Sequence, residues 1–346
     1  MKQVRFGIIG AGILAPLHAK AIQENPTAEL AAVADIDKEK AEKFAHDYNI
    51  NKVFTDYEAM LLEPIDVVCL CVPSGMHARF AVKCAEMGKH ILSEKPLDIT
   101  FRNMDLMINA CKQAGVKLGS VFQRRTLPHF LEAKNNLDSG AIGGMMMINA
   151  YLKYYRSDEY YASAGWRGKW ELDGGGALMN QGVHGIDLLQ WIGGEVVSVK
   201  AYTGTLTRKD IEVEDTAAAI LKFKNGAIGT IQGATSVYPE QETSIEINGD
   251  EGTLKVTDSK VEIWESMTNQ LAAPQLPLPD HDGHAIIIND MVEAIINDRE
   301  PMISGMEARK SVEIILAVYE SARTGNEVIL SEFHPFESHR DKGVSS

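Results

Sequence analysis

The N-terminal segment constrains the fold most strongly, because an apolar strand runs directly into a glycine turn and a helix. Residues 4–10 read VRFGIIG and predict a buried strand, and residues 16–24 predict a helix. Between them, Gly10, Gly12 and Ala15 form the pattern GxGxxA, an accepted variant of the dinucleotide fingerprint. Glycines permit the tight turn, and the free N–H groups of the helix N-terminus suit a pyrophosphate. This segment therefore predicts a dinucleotide site at the start of a doubly wound sheet.

An acidic residue at the end of the second predicted strand indicates which dinucleotide binds. The strand LAAVAD ends at Asp35, about 20 residues past the fingerprint, where a carboxylate holds the ribose hydroxyls of NAD. The same charge repels the 2′-phosphate of NADP, so we expect NAD, with NADP a poorer cofactor. Around the dinucleotide we expect contacts from Gly10, Gly12, Ile13, Leu14 and Asp35.

Strands and helices alternate as far as residue 123, which predicts an N-terminal Rossmann domain over residues 1–123 with a parallel sheet covered on both faces. Ligands of such sheets lie beyond the carboxyl ends of the strands. Pro73, Ser74, Glu94 and Lys95 fall at such ends. Lys95 follows the strand HILSE and precedes a proline; it is either a donor to a substrate oxygen or nicotinamide ribose, or a solvated surface lysine.

After residue 123 the pattern changes to strands without interleaved helices. It predicts a second domain, residues 124–331, built on a large, mainly antiparallel open β-sheet and ending in helices over 285–297 and 305–323, before an exposed tail, 332–346. Residues 272–282 predict a loop. An open sheet face invites self-association, so we expect a homodimer or homotetramer formed through this domain. Strands are predicted over residues 145–156, 196–206, 216–224, 227–237, 243–248, 253–256 and 261–264.

The segment DGGGALMNQGVHGIDLLQWIGG, residues 173–194, carries the second candidate site. After three glycines it predicts a helix, on which Asn180, His184 and Asp187 share one face at spacings of four and three. Gly182 and Gly185 flank His184 and leave room beside it, and because glycine is costly in a helix they suggest that another group approaches the helix closely there. The alternative is a buried histidine that serves packing alone.

A stretch rich in aromatic and basic residues, KYYRSDEYYASAGWRGKW at 153–170, precedes that helix. We interpret it as a pocket wall for a hydroxylated ring, with Tyr161 among the aromatic faces and Arg156 or Arg167 binding hydroxyls or a carboxylate. An ordinary sheet edge and loop is the alternative.

Composition excludes several classes of protein. The net charge of −14 argues against a nucleic-acid partner, and no apolar run is long enough to span a membrane. The N-terminus resembles no signal peptide, so we expect a cytoplasmic protein. Cys69 and Cys71 lie in an apolar run and are predicted to be buried hydrophobes, and we expect no metal site.

The fingerprint with Asp35, the stretch GKHILSEKP at 88–96 and the glycine-rich segment at 174–194 together resemble the glucose–fructose oxidoreductase, inositol dehydrogenase and MocA (Gfo/Idh/MocA) family. The likeness extends to about residue 330. It implies hydride transfer between a sugar or cyclitol carbon and a nicotinamide cofactor. It also implies an active-site lysine at Lys95, an acid/base histidine at His184, and cofactor-side positions at Pro73, Ser74, His77, Gln123, Trp166 and Arg167.

This chain departs from the inositol dehydrogenases at one position, because Asn180 stands where those enzymes carry aspartate. An amide relays no proton, so Asn180 is expected to bind a substrate hydroxyl instead. Asp187 either orients the His184 ring and contacts substrate, or forms a structural pair. Three alternatives stay open: a nucleotide-sugar 3-dehydrogenase acting on UDP-linked uronic acids, a redox-neutral enzyme with tightly held NAD, and a non-catalytic NAD-binding regulator.

Overall fold

A computed structural model describes residues 3–268, 271 and 283–333. The predicted loop at 272–282 and most of the predicted tail lie outside these residues. Two sheets organise the described chain, one of six strands and one of eight.

The first sheet is parallel throughout, with the strand order β3-β2-β1-β4-β5-β6. Its strands are buried apolar runs, as expected where helices cover both faces. The strands are β1 Val4–Ile9, β2 Ala28–Ala34, β3 Lys52–Phe54, β4 Val67–Leu70, β5 His90–Ser93 and β6 Leu118–Ser120. The helices are α1 Ala15–Glu24, α2 Lys38–Asp47, α3 Tyr57–Leu61, α4 His77–Glu86 and α5 Phe101–Ala114.

The second sheet is antiparallel except at one pair. Its strands are β7 Met145–Lys153, β8 Val196–Gly204, β9 Thr216–Phe223, β10 Ile228–Ala234, β11 Ser244–Gly249, β12 Gly252–Thr257, β13 Val261–Ser266 and β14 Val328–Ile329. The helices of this part of the chain are α6 Pro128–Asp138, α7 Asp158–Ala162, α8 Val183–Gly193, α9 His284–Ile296 and α10 Gly305–Thr324. The strand order is β13-β12-β11-β7-β10-β9-β8-β14, and β7 and β10 run parallel. The expected combination of a Rossmann sheet with a large, mainly antiparallel sheet is confirmed.

Helices cover one face of the second sheet and leave the other exposed. α8 packs on β7, and α10 packs on β8 and on α8. Both C-terminal helices also reach the first sheet, because α9 packs on α1 and α10 on α5. The exposed face carries Met147, Tyr202, Ile220, Ile228 and Ile263, which strand register places on the same side. Among the described residues, no helix has the length and apolar character needed to cross a membrane.

Candidate active site

A cavity of about 460 Å³ lies where the carboxyl ends of the parallel strands meet the second sheet. The first sheet contributes the ends of β5 and β6, and α8 with the turn before it faces them. The end of β7 and the loops after β10 and β12 form the remaining wall. The lining residues are Leu14, Leu17, Glu94, Lys95, Gln123, Arg124, Tyr154, Arg156, Asn180, Gln181, His184, Glu240, Gln241, Glu242, Asp258 and His284.

The glycine turn at the start of α1 has the form of a dinucleotide cradle. Gly10 has φ +94°, and a Cβ there would stand 2.4 Å from the carbonyl oxygen of Cys71, so only glycine fits. A Cβ on Gly12 would meet nothing closer than 3.9 Å. Ile13 is 81% exposed, and no side chain caps the first turn of α1. Free backbone donors beside an exposed apolar side chain fit a bound pyrophosphate and its attached groups.

Asp35 lies at the end of β2 against this turn, as predicted. One carboxylate oxygen accepts the N–H of Ala11 at 2.8 Å, and the other accepts the N–H of Asp37 at 2.8 Å. Each carboxylate oxygen keeps further lone pairs for a ribose hydroxyl. The negative charge thus stands beside the fingerprint, where a 2′-phosphate would meet it.

Lys95, which follows β5, and His184, on helix α8, line the same cavity. The Nζ of Lys95 donates to the carbonyl oxygen of Asn180 at 3.1 Å. Burial lowers the pKa of Lys95, opposed by the carboxylates of Glu94 and Asp173. Burial also holds the pKa of His184 well below its usual value, and the Lys95 and Arg124 cations lower it further. His184 is therefore a neutral imidazole, the form in which a ring nitrogen can act as a base.

Asn180 belongs to a polar network on the cavity wall. Its Nδ2 donates to Asp173, and its Oδ1 accepts Nε2 of Gln181 at 2.8 Å. Gln181 in turn donates to the hydroxyl of Tyr160 at 2.7 Å and accepts Nη2 of Arg156 at 2.8 Å. The predicted substrate side chains Asn180 and Arg156 are thus brought together at the cavity.

The turn before α8 departs from the predicted helix. Residues Ala177–Gly182 form a π-helical turn, and regular α-helix begins only at Val183. π-turns occur frequently at functional sites. Asn180 in this turn and His184 in α8 both line the cavity, whereas Asp187 does not.

Asp187 lies outside the cavity lining. Its two oxygens accept Nη2 and Nε of Arg125 at 2.6 and 2.7 Å, and Arg125 also contacts Glu307 at 3.4 Å. Both partners of the pair are nearly inaccessible, at 4% and 1% exposure. This geometry supports a structural role for Asp187 over contact with substrate, because its paired carboxylate joins α8 to the segment after β6.

The glycines beside His184 serve packing between protein elements. A Cβ on Gly182 would stand 2.8 Å from the carbonyl of Ala177, and one on Gly185 would stand 2.2 Å from the side chain of Leu152 on β7. The close approach expected at these glycines is therefore that of α8 to the sheet.

Several other predicted residues lie near the site without lining the cavity. Tyr161 donates to Oγ1 of Thr235 at 2.9 Å, so its hydroxyl is bonded to the residue that follows β10. The guanidinium of Arg167 stacks on Tyr160 and Trp166, 4.1 and 4.8 Å from the ring centroids. His77 is buried and bonds the carbonyls of Pro96 and Val72 at 2.9 and 3.0 Å, and Ser74 is buried just before it, after Pro73.

Sequence reasoning missed much of the far wall. Arg124 bonds Asp258 at 2.9 Å and Thr243, and Tyr154 bonds Thr243 at 2.7 Å. These residues come from separate loops and strand ends, so no local pattern joins them. The one sequence signal for Arg124 is its position after Gln123, beyond the end of a strand of the parallel sheet.

A buried group of three side chains forms the floor of the cavity. The ligand atoms of His18, Glu94 and His284 lie within 4.8 Å of one another, and within the described chain this set has the spacing to hold a metal ion. His18 is a helical residue that the sequence left without a role, and His284 begins α9.

A glycine cradle, an acidic ribose position and a lysine–histidine pair at the strand ends define an NAD-binding oxidoreductase. Residues 4–122 match the oxidoreductase family model with an NAD-binding Rossmann fold, and residues 130–255 match the GFO/IDH/MocA C-terminal domain. The chain belongs to the GFO/IDH/MocA family. Its relatives include an NAD-dependent inositol dehydrogenase and a dehydrogenase solved with NADH, which confirms the expected enzyme class and cofactor.

Three relatives illustrate the range of the family. The WlbA dehydrogenase of Bordetella pertussis, solved with NADH and UDP-GlcNAcA, is 36% identical, with a TM-score of 0.87 over 95% of this chain and 99% of that chain. The WlbA dehydrogenase of Chromobacterium violaceum, solved with the same ligands, is 33% identical, with a TM-score of 0.88 over 96% and 98%. The NAD-dependent scyllo-inositol 2-dehydrogenase of Bacillus subtilis is 27% identical over 95% of this chain and 96% of that protein.

Proposed function

We propose that this protein is an NAD-dependent dehydrogenase of a uronic acid linked to a nucleoside diphosphate, with Lys95 and His184 at the reacting oxygen. The observation that carries the chemistry is the convergence of a lysine and a neutral imidazole on one cavity beside the dinucleotide cradle.

His184 acts as general base in this proposal. Oxidation of a carbinol removes a hydride from carbon and a proton from the hydroxyl, and an unprotonated imidazole takes the proton. The Lys95 ammonium donates a hydrogen bond to the same oxygen and stabilises its developing negative charge. Bound NAD supplies the hydride acceptor at its nicotinamide ring.

Two arginines in the cavity favour an anionic substrate over a free neutral sugar. Arg124, which follows β6, and Arg156, which follows β7, both line the cavity, and they pair with Asp258 and Glu240 at 2.9 Å. Arginine binds carboxylate and phosphate through two parallel hydrogen bonds, so either side chain can exchange its partner for a substrate anion. The two WlbA enzymes, at 36% and 33% identity, were solved with UDP-GlcNAcA, which carries both kinds of anion.

A matched pair of substrates tests this assignment. We expect NADH formation, followed at 340 nm, with UDP-GlcNAcA and NAD⁺, and at least about tenfold lower kcat/KM with UDP-GlcNAc, which lacks only the carboxylate. Equal rates on the two, or oxidation of free sugars or inositols alone, would contradict the nucleotide-linked uronic acid. NADH that forms once per active site and stays bound would favour the redox-neutral alternative.

Self-association through the second sheet and a cytoplasmic location complete the proposal. The exposed apolar side chains on the open face of that sheet support the first. Membership of an NAD-binding oxidoreductase family supports the cytoplasmic location.

A further inference from the structure

Three side chains from distant parts of the chain meet beneath the cavity. His18 comes from α1, Glu94 from the end of β5 and His284 from the start of α9. The Oε1 of Glu94 accepts Nε2 of His18 at 2.7 Å, and Nε2 of His284 lies 3.5 Å from the same oxygen. The three side chains are 0%, 5% and 3% exposed. We name this group the His–Glu–His cluster.

The cluster is joined directly to Lys95. The second oxygen of Glu94, Oε2, accepts the backbone N–H of Lys95 at 3.2 Å. One carboxylate therefore connects two imidazoles, from the first and the ninth helix, to the backbone of the cavity lysine. Any shift of Glu94 is transmitted to the residue proposed to contact the reacting oxygen.

The carboxylate also acts through its charge. Burial raises the pKa of Glu94, but the hydrogen bonds from His18 and His284 outweigh it and hold that pKa well below its usual value. The resulting anion favours the charged form of Lys95, which burial opposes. The titratable groups around Glu94 are His18 of α1, Cys69 and Cys71 of β4 and its end, Lys95, His184 of α8 and His284 of α9.

We propose that His18 and His284 are positioning residues, which keep Glu94 ionised and fixed so that Lys95 remains a cation at the reacting oxygen. The effect of this positioning on the reaction rate rests on the proposed function. The hydrogen-bonded contact itself rests only on geometry.

The spacing of the cluster favours a shared proton over a bound metal ion. Zinc binds imidazole nitrogen and carboxylate oxygen at about 2.0–2.2 Å, so tetrahedral ligands lie roughly 3.3 Å apart. The 2.7 Å between His18 and Glu94 is shorter and is the length of a charge-assisted hydrogen bond.

The first experiment compares pH profiles of kcat/KM for sugar-nucleotide oxidation. In Glu94→Gln the alkaline limb, where Lys95 loses its proton, should move down by about 1 pH unit, since a nearby opposite charge shifts a pKa by roughly that much or more. His18→Leu should move it in the same direction. His18→Gln should restore the wild-type limb, because the amide replaces the N–H donor. His90→Gln, at the opposite end of the same strand, is the matched control and should leave the profile unchanged.

Equal profiles for His18→Leu and His18→Gln, or an unmoved limb in Glu94→Gln, would overturn the positioning role. A wild-type protein that oxidises no sugar nucleotide would refute the proposed function instead.

The second experiment needs no substrate. In ¹H–¹⁵N spectra of the labelled full-length protein, the imidazole N–H of His18 should show the downfield proton shift of a bond to a carboxylate, and Glu94→Gln should move it upfield. An unchanged signal would overturn the contact. Stoichiometric Zn²⁺ binding by the wild type that is lost in His284→Gln would overturn the shared proton in favour of a metal site.

Discussion

Single side chains decide which cofactor is accepted. Asp35 contributes a charge and also a hydrogen bond to Ala11 in the glycine turn. We expect the wild type to bind NADH more tightly than NADPH. Asp35→Asn should reduce the difference in affinity between NADH and NADPH, because it removes the charge but keeps an acceptor for the N–H of Ala11. Asp35→Ser should reduce the same difference and also weaken NADH binding. Fluorescence titration with both reduced cofactors measures this, and equal affinities in the wild type would refute the role of Asp35.

Asn180 stands where the resemblance to inositol dehydrogenases implies an aspartate. Its amide donates to the buried carboxylate of Asp173, whose pKa burial raises while that hydrogen bond lowers it. Asn180→Asp would place two carboxylates together, so we expect no gain in rate and a loss of about 1.5–3 kcal/mol of unfolding free energy, the worth of a hydrogen bond to a charged group.

The matched control for Asn180→Asp exchanges the two residues. The double variant Asp173→Asn with Asn180→Asp restores one amide and one carboxylate and should recover most of the lost stability in thermal unfolding. An Asn180→Asp enzyme that is faster than wild type would indicate a carboxylate–histidine relay after all.

At the scale of elements, the π-turn before α8 depends on a buried carboxylate. Glu214 accepts the N–H groups of Gly176 and Leu178 and the hydroxyl of Tyr319, each at 2.9 Å. Burial nevertheless raises the pKa of Glu214 to about 7. The turn that carries Asn180 is thus tied to a group that titrates near neutral pH.

The sign of the resulting pH dependence follows from that raised pKa. The folded state holds the Glu214 proton up to about pH 7, because its pKa is raised there, whereas the unfolded chain releases it near the ordinary glutamate pKa of 4.5. Stability from this group is therefore fully present below pH 4.5 and is lost as pH rises to about 7, by about 3 kcal/mol. Denaturant unfolding at pH 5 and pH 8 measures this loss of unfolding free energy, which should be smaller in Glu214→Gln than in the wild type. An equal loss in both proteins would contradict the role of Glu214.

The sequence predicted elements far better than it predicted the relations between them. The fingerprint, Asp35 and Lys95 were found because a strand end and a glycine turn fix their positions locally. Asp187 was placed on the site face because it follows His184 by three residues on one helix, whereas its partner Arg125 lies 62 residues away in the sequence and left no local signal. His18 and His284 carried no local signal, since only tertiary packing brings α1 and α9 together.

At the scale of the whole molecule, one face of the second sheet is not packed against any helix of the described chain. Ile220 and Ile228 are 56% and 49% exposed on neighbouring strands of this face. We expect light scattering to give a dimer or tetramer, and Ile220→Glu to shift the mass toward the monomer. Ile286→Glu, at a 39% exposed position on α9, is the control and should leave the mass unchanged. A wild-type monomer at micromolar concentration would refute association through this face.

The pairing of Lys95 with His184 at one reacting oxygen is tested most directly by turnover of two variants alongside their cofactor affinity. Lys95→Met and His184→Asn should each lower kcat on the substrate that the wild type oxidises by at least about 100-fold, the lower range of general acid–base help. NADH affinity should change little, because binding rests on the glycine turn and Asp35. Wild-type turnover by His184→Asn, or loss of NADH binding equal to the loss of rate in both variants, would contradict the assignment.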